Sequence, residues 1–121
     1  MKGLVVKSPH IERMLDGEKT WEIRSKNTTI RGTIALIKSG SGTVLGTIDI
    51  IDSKEISLQE YQDNEKYHCV SKDDGFVLNY KKIYAWVVRN PVRFKQPKPY
   101  KHPQGAVIWV NLDEKSFNKY S

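Results

Sequence analysis

Apolar and polar positions along this chain change period several times, and each change marks an element. Residues 3–7, Gly3-Leu4-Val5-Val6-Lys7, form an apolar run of strand length. Ser8-Pro9 then opens a helix, with Ser8 as the cap and Pro9 at the first helical position, where no backbone donor is needed. Ile11, Met14 and Leu15 follow at i, i+3, i+4 spacing, one apolar stripe on a helix. Gly17 stops that helix by supplying a left-handed residue. The period then becomes two, through about Ser25. Trp21 and Ile23 point to one face, Thr20, Glu22 and Arg24 to the other, with Lys19 at the strand mouth. After polar turns at 26–29 and 31–32, residues 33–38 read as a largely apolar strand. Ser39-Gly40-Ser41-Gly42 reads as a hairpin connection into a β-branched strand over 43–51. Gly46 inside that strand suggests a bulge or the close approach of another backbone.

Ser57 and Glu60 form a capping box, which predicts a helix over about 58–64. Residues 66–79 carry no readable period; Ser71-Lys72-Asp73-Asp74 can cap a helical turn, while Gly75 argues for irregular backbone. Residues 83–89 are a strand with Tyr84 and Trp86 on one face and Ala85 and Val87 on the other. Pro91 ends it or leaves it at a sheet edge, and Val92-Arg93-Phe94 can continue it. Residues 97–103 form a stiff, basic segment of polyproline character, and 106–112 the last strand. Together these elements predict one domain, residues 1–112, followed by a polar, frayed tail, 113–121. The class is α+β, mostly β: about six short, mostly antiparallel strands in a small barrel, with two or three short helices on its rim.

The 121 residues suit a single domain, and 38% hydrophobic residues suffice for a core without staples. A net charge of +6 favours polyanionic partners such as RNA or DNA, or an anionic nucleotide. One cysteine, Cys69, excludes an intrachain disulfide framework or a multi-thiolate metal site. The opening seven residues are too short and interrupted for a signal peptide, and no apolar run approaches the roughly 20 residues of a membrane span. A cytoplasmic protein without membrane association is expected.

The polar face of the 20–24 strand has two readings. On an exposed sheet, Glu22 and Arg24 would be a solvated pair worth at most about 1 kcal/mol. In a cleft, Lys19, Glu22 and Arg24 would converge on a polar ligand.

The stretch Leu15-Asp16-Gly17-Glu18-Lys19-Thr20-Trp21-Glu22-Ile23-Arg24 resembles the signature of the ASCH domain family: glycine, a variable residue, Lys-Thr, then Glu-x-Arg. Tyr84-Ala85-Trp86-Val87, Pro99-Tyr100 and Gly105-Ala106-Val107-Ile108-Trp109 fit its later elements more loosely. The resemblance covers roughly residues 3–112 and implies a PUA-like pseudo-barrel of about six strands with a cleft beside it. It also implies RNA or modified nucleosides as partners. Some small bacterial members are amidohydrolases acting on N(4)-acetylcytidine, and some are ribonucleases. In the amidohydrolases a lysine of this motif works with a threonine three residues later and a more distant glutamate. Lys19 matches the lysine, but Glu22 occupies the threonine position. Glu65, Asp73 and Asp74 correspond to the distant glutamate only by rough location.

A structural Glu22–Arg24 or Lys19–Glu22 network that shapes a binding cleft is one reading of these residues, and two chemistries stand beside it for Lys19 and Glu22. Burial can lower the pKa of Lys19, and a desolvated Glu22 can act as general base on water, so a water-mediated amide hydrolysis is one. Base recognition is the other: Glu22 accepts from an exocyclic amine, and Lys19 or Arg24 donates to a carbonyl or phosphate. Tyr100, Lys101 and His102 in the proline loop would flank the cleft as a wall, and the amides around Ser39 and Gly40 could meet a phosphate. Trp21, Trp86 and Trp109 are core candidates before they are stacking surfaces. The histidines assemble no motif, and His68-Cys69 is not metal spacing, so no metal and no cofactor is expected. A protein partner on the basic surface is the remaining alternative.

Overall fold

The computed structural model describes residues 1–71 and 78–113. In chain order the elements are β1 (Lys2–Val6), α1 (His10–Leu15), β2 (Trp21–Arg24), β3 (Gly32–Lys38), β4 (Thr43–Ile56), α2 (Leu58–Asp63), α3 (Glu65–His68), β5 (Ile83–Pro99) and β6 (Trp109–Asn111). The six strands make one sheet in the order β2-β5-β4-β3-β1-β6. Every pairing is antiparallel except β1 with β3.

The sheet curls but does not close, so it is a pseudo-barrel and not the barrel the strand count suggests. Its end strands β2 and β6 share no ladder. Side chains bridge the gap instead. Arg24 on β2 donates to the Val5 carbonyl on β1 at 3.2 Å, and the rings of Trp86 on β5 and Trp109 on β6 stack 5.8 Å apart. The two sides of this seam are thus held by contacts that leave room between them.

Helix α1 lies against the concave side, where its predicted stripe of Ile11, Met14 and Leu15 joins Leu4, Ile34, Leu36, Ile48, Ile50, Trp86 and Val88. Truncating a fully buried member such as Met14 to alanine would cost about 2–5 kcal/mol. Gly46 makes this packing feasible. A Cβ there would sit 2.1 Å from the Val92 carbonyl oxygen and 2.8 Å from Leu15 Cδ2, and the β4–β5 register shifts beside it. The sequence expectation of a bulge or a close approach is met in both forms. A second apolar cluster, Trp21, Ile56, Tyr61, Ile83, Ala85 and Val87, fills the space under α2.

Several boundaries differ from the sequence reading. Ser8 does not cap α1; its hydroxyl donates to the Glu12 carboxylate at 2.5 Å, and Pro9 occupies the cap position. Strand β4 runs on to Ile56. Strand β5 continues through Pro91 to Pro99, with Lys98 opposite Val44 and Pro99 opposite Thr43, so the expected polyproline segment is in large part strand. The reason is local. Strand β2 covers β5 only from Tyr84 to Val87, and past it one edge of β5 has no ladder, where a missing amide costs nothing. The capping box of α2 forms with both bonds at 3.0 Å, but α3 follows without any side-chain cap. Strand β6 keeps only three of the seven residues expected, because 103–108 turn instead, with Ala106 N donating to the Pro103 carbonyl. All of the turn expected at 71–75 but Ser71, and all of the polar tail but Asp113, lie outside the described residues. Among the described residues no helix is long and apolar enough to cross a membrane.

Candidate functional site

The site is assembled by the junction between α1 and β2. Gly17, at φ 82°, turns the chain out of the helix, and Lys19 N donates back to the Arg13 carbonyl at 3.0 Å. Thr20 is held from both sides, its amide on the Tyr67 carbonyl and its own carbonyl on Val88 N, each at 2.9 Å. Strand alternation then does what the sequence predicts. Trp21 goes into the cluster under α2, while Glu22 and Arg24 turn toward the seam.

There the polar groups form a chain across the gap. The Lys19 ammonium, only 1% exposed, donates to the His68 carbonyl and lies 3.7 Å from Glu22 Oε1. Glu22 Oε2 accepts two bonds from Arg24, from Nη2 at 2.7 Å and Nε at 3.1 Å. The Arg24 guanidinium continues to the Val5 carbonyl and stands 5.4 Å from the Trp86 ring centre. This is the buried-network reading of the motif, not a solvated surface pair.

A cavity of about 700 Å³ opens over this floor. Its polar lining comes from Lys7, His10, Arg13 and Ser39 besides Lys19, Glu22 and Arg24; its apolar walls include Val5, Ile23, Tyr61, Val107 and Ile108. That size falls within the roughly 300–1,000 Å³ of small-molecule sites, and seam, sheet edge and helix together make it concave.

Burial pushes the Lys19 pKa below its ordinary value of 10.5; the nearby Glu22 and Cys69 pull it back, and Arg24 pushes it down again. Burial likewise lowers His68, against the bond to the Tyr61 carbonyl. His68 Nδ1 accepts from Val70 N at 3.0 Å, so Nε2 carries the proton and donates to the Tyr61 carbonyl at 2.7 Å. Its ring stacks on Tyr61 at 4.2 Å. A neutral histidine thereby fixes the backbone whose carbonyl receives Lys19.

Of the residues the sequence suggests, Lys19, Glu22, Arg24 and Ser39 line the cavity. Gly40 sits exposed in the β3–β4 hairpin, outside the lining. Tyr100, Lys101 and His102 are not in the lining either. Tyr100 packs beside Ala35, Ile37 and Val110, and its hydroxyl meets His102 Nδ1 at 2.7 Å, while Nε2 meets the Ala106 carbonyl at 2.8 Å. The same loop supplies the wall through Val107 and Ile108 instead. Sequence reasoning also misses Arg13, whose Nη1 donates to the Cys69 carbonyl at 2.8 Å, and His68. Both act through main-chain groups, Arg13 through a carbonyl 56 positions away, and such partners leave no side-chain signature. Among the described residues no group of three or more His, Cys, Asp or Glu could hold a metal ion.

A curled, unclosed mixed sheet with a helix against its concave face and a polar cleft at the seam defines a PUA-like domain. The ASCH domain family model matches residues 4–98, and the chain belongs to that family, which is generally linked to RNA binding. The ASCH protein from Zymomonas mobilis has the same fold: TM-score 0.68 at 15% identity, covering 98% of this chain and 92% of that one. Two mutants of that protein superpose with TM-scores of 0.74 and 0.73 at 12% and 14% identity. Each covers 98% of this chain, and 92% and 94% of the respective mutant chain is covered. At such identities the likeness is one of fold. No curated protein matches the sequence.

Proposed function

We propose that the cleft binds RNA by holding one nucleobase, modified or not, over the Lys19–Glu22–Arg24 floor. The observation that carries this reading is the arrangement of that floor under a cavity of about 700 Å³ with apolar walls. An unstacked base needs apolar or aromatic faces and directional partners along its edge. Among the described residues Glu22 Oε1 faces only the Lys19 ammonium, at 3.7 Å, and keeps acceptor capacity for an exocyclic amine. Lys19 and Arg24 are donors for a ring carbonyl or a phosphate. The reading takes the protein to be cytoplasmic, in keeping with its single cysteine.

The test is a calorimetric titration with natural and N-modified nucleosides and short RNAs, repeated on Glu22→Gln. The amide keeps the size of the side chain but loses the charge, so affinity for amine-bearing bases should fall about tenfold or more. An unchanged base preference would remove Glu22 from the reading. A steep fall of RNA affinity with salt supports phosphate contacts, whereas a flat response favours a protein partner.

The lowered pKa of Lys19 favours a second reading, hydrolysis of an N-acylated cytidine in the same cleft. Glu22 would take a proton from water as its oxygen adds to the acyl carbon. Lys19 would stabilise the oxyanion. The C–N bond would then break, the proton on Glu22 passing to the departing amine, and the carboxylic acid formed would leave and give up its own proton to solvent. Chromatography of acylated nucleosides incubated with the protein and with Lys19→Ala decides it. Conversion by the protein and not by the variant supports turnover; no conversion leaves recognition alone.

A further inference from the structure

The cavity is electrically lopsided. Among the described residues, Lys7, Arg13, Lys19 and Arg24 line it against the single carboxylate of Glu22. Three of these cations donate to neutral carbonyls: Arg13 to Cys69, Lys19 to His68, Arg24 to Val5. Such bonds satisfy N–H groups but bring no opposite charge. Neither acid of α1 and its cap lines the cavity: Glu12 accepts from Ser8 and lies 4.0 Å from Lys38, and Asp16 pairs with Arg93 at 2.7 Å. Positive charge in excess inside a concave, partly dry site is unfavourable unless an anion joins it.

The excess also has a location. Glu22 is shared by Lys19 and Arg24, so the β2 side is the more nearly balanced. Arg13 on α1 and Lys7 just after β1 have no carboxylate partner among the described residues, and Arg13 spends only Nη1 on its carbonyl. Arginine's planar fork suits a phosphate, and lysine adds a point charge.

We propose that the occupant is a nucleotide and not a neutral nucleoside, its base on the Lys19–Glu22–Arg24 floor and its phosphate held by Arg13 and Lys7. The proposal rests on the base-binding reading above and adds the ligand's charge. The nucleotide can be free or a unit of an RNA chain, and the test separates the two.

Each nucleoside of a panel, N(4)-acetylcytidine included, is titrated beside its 5′-monophosphate at low and moderate salt, with a trinucleotide as a third arm. Lys7→Ala and Arg13→Gln are measured in parallel. The monophosphate should bind about tenfold or more tightly than its nucleoside, and the advantage should shrink with salt. Both variants should lose that advantage while keeping nucleoside affinity within about twofold. Arg13→Gln also loses a tie to Cys69, so exposed Lys7 is the variant that stands if the other misfolds. A trinucleotide binding more tightly than the monophosphate identifies RNA as the source; equal binding identifies the free nucleotide. Equal affinity for nucleoside and monophosphate overturns this proposal and leaves base binding intact. An advantage that survives in Lys7→Ala overturns the assignment of the phosphate. No binding by any member overturns base binding, and this proposal with it.

Discussion

On β2 and just before it, Lys19, Glu22 and Arg24 converge at the seam, whereas after β5 Tyr100 and His102 bond to each other and Tyr100 lies beside Ala35 and Ile37. Both clusters look alike in sequence: bases and an aromatic or acidic partner within a few residues. Only the first reaches the cavity. The difference is one of backbone. A strand fixes which face each side chain takes, so parity alone sends Glu22 and Arg24 the same way. A proline-rich loop has no such rule, and its side chains go where carbonyls and apolar gaps accept them. Chemistry-bearing residues on a strand can therefore be assigned a common face from their spacing alone, while those in a loop cannot.

The comparison breaks first if the β2 cluster proves loosely held. Glu22→Ala leaves Lys19 and Arg24 facing each other without a counter-charge, and should cost about 3 kcal/mol in urea denaturation. A loss under about 0.5 kcal/mol would show that the network does not hold the seam. Acid sharpens the same point. Burial keeps His68 below its ordinary 6.5, so the unfolded chain takes up the proton first as pH falls. The His68 contribution to stability should be complete above about 6.5 and decline below it, before Glu12 or Asp49, with ordinary values of 4.5 and 3.8, begin to titrate. His68→Phe should flatten the denaturation midpoint between pH 6.5 and 5; an unchanged slope assigns it to another group. Lys19→Met separates binding from folding. It removes a buried cation and one hydrogen bond, so stability should change by only about 1 kcal/mol while nucleoside affinity falls more than tenfold. In the wild type the lowered Lys19 pKa makes stability rise from the folded-state value up to 10.5, a rise this variant should lack. The smallest effect belongs to the loop. Tyr100→Phe with His102→Ala should cost less than about 1 kcal/mol and leave affinity unchanged; a tenfold loss would bring the loop back into the site.

What the sequence disclosed follows the same division. The α1 stripe, the 21–24 and 84–87 alternations, the Ser57–Glu60 box and the close approach at Gly46 are local signals, and each survives in the fold. The continuation of β5 past Pro91 was hidden because proline's fate depends on whether a neighbour strand covers that edge, a tertiary fact. Helix α3 has no cap to announce it. Arg13 and His68 were hidden for a third reason: their partners are main-chain groups, present at every position and therefore uninformative.

The pairing of β1 with β6 has a consequence for the order of events in folding. The Met1 ammonium and the Leu112 carbonyl that meet there are 111 positions apart, whereas β3 and β4 are joined by a tight turn. Closing so long a loop costs about 3 kcal/mol more entropy than closing a hairpin, so β6 should dock late, onto a sheet already formed. Val107 and Ile108 arrive with it. The cavity is then finished by the closing step of folding, and a nascent or partly opened chain would have its charged floor before it has its apolar wall.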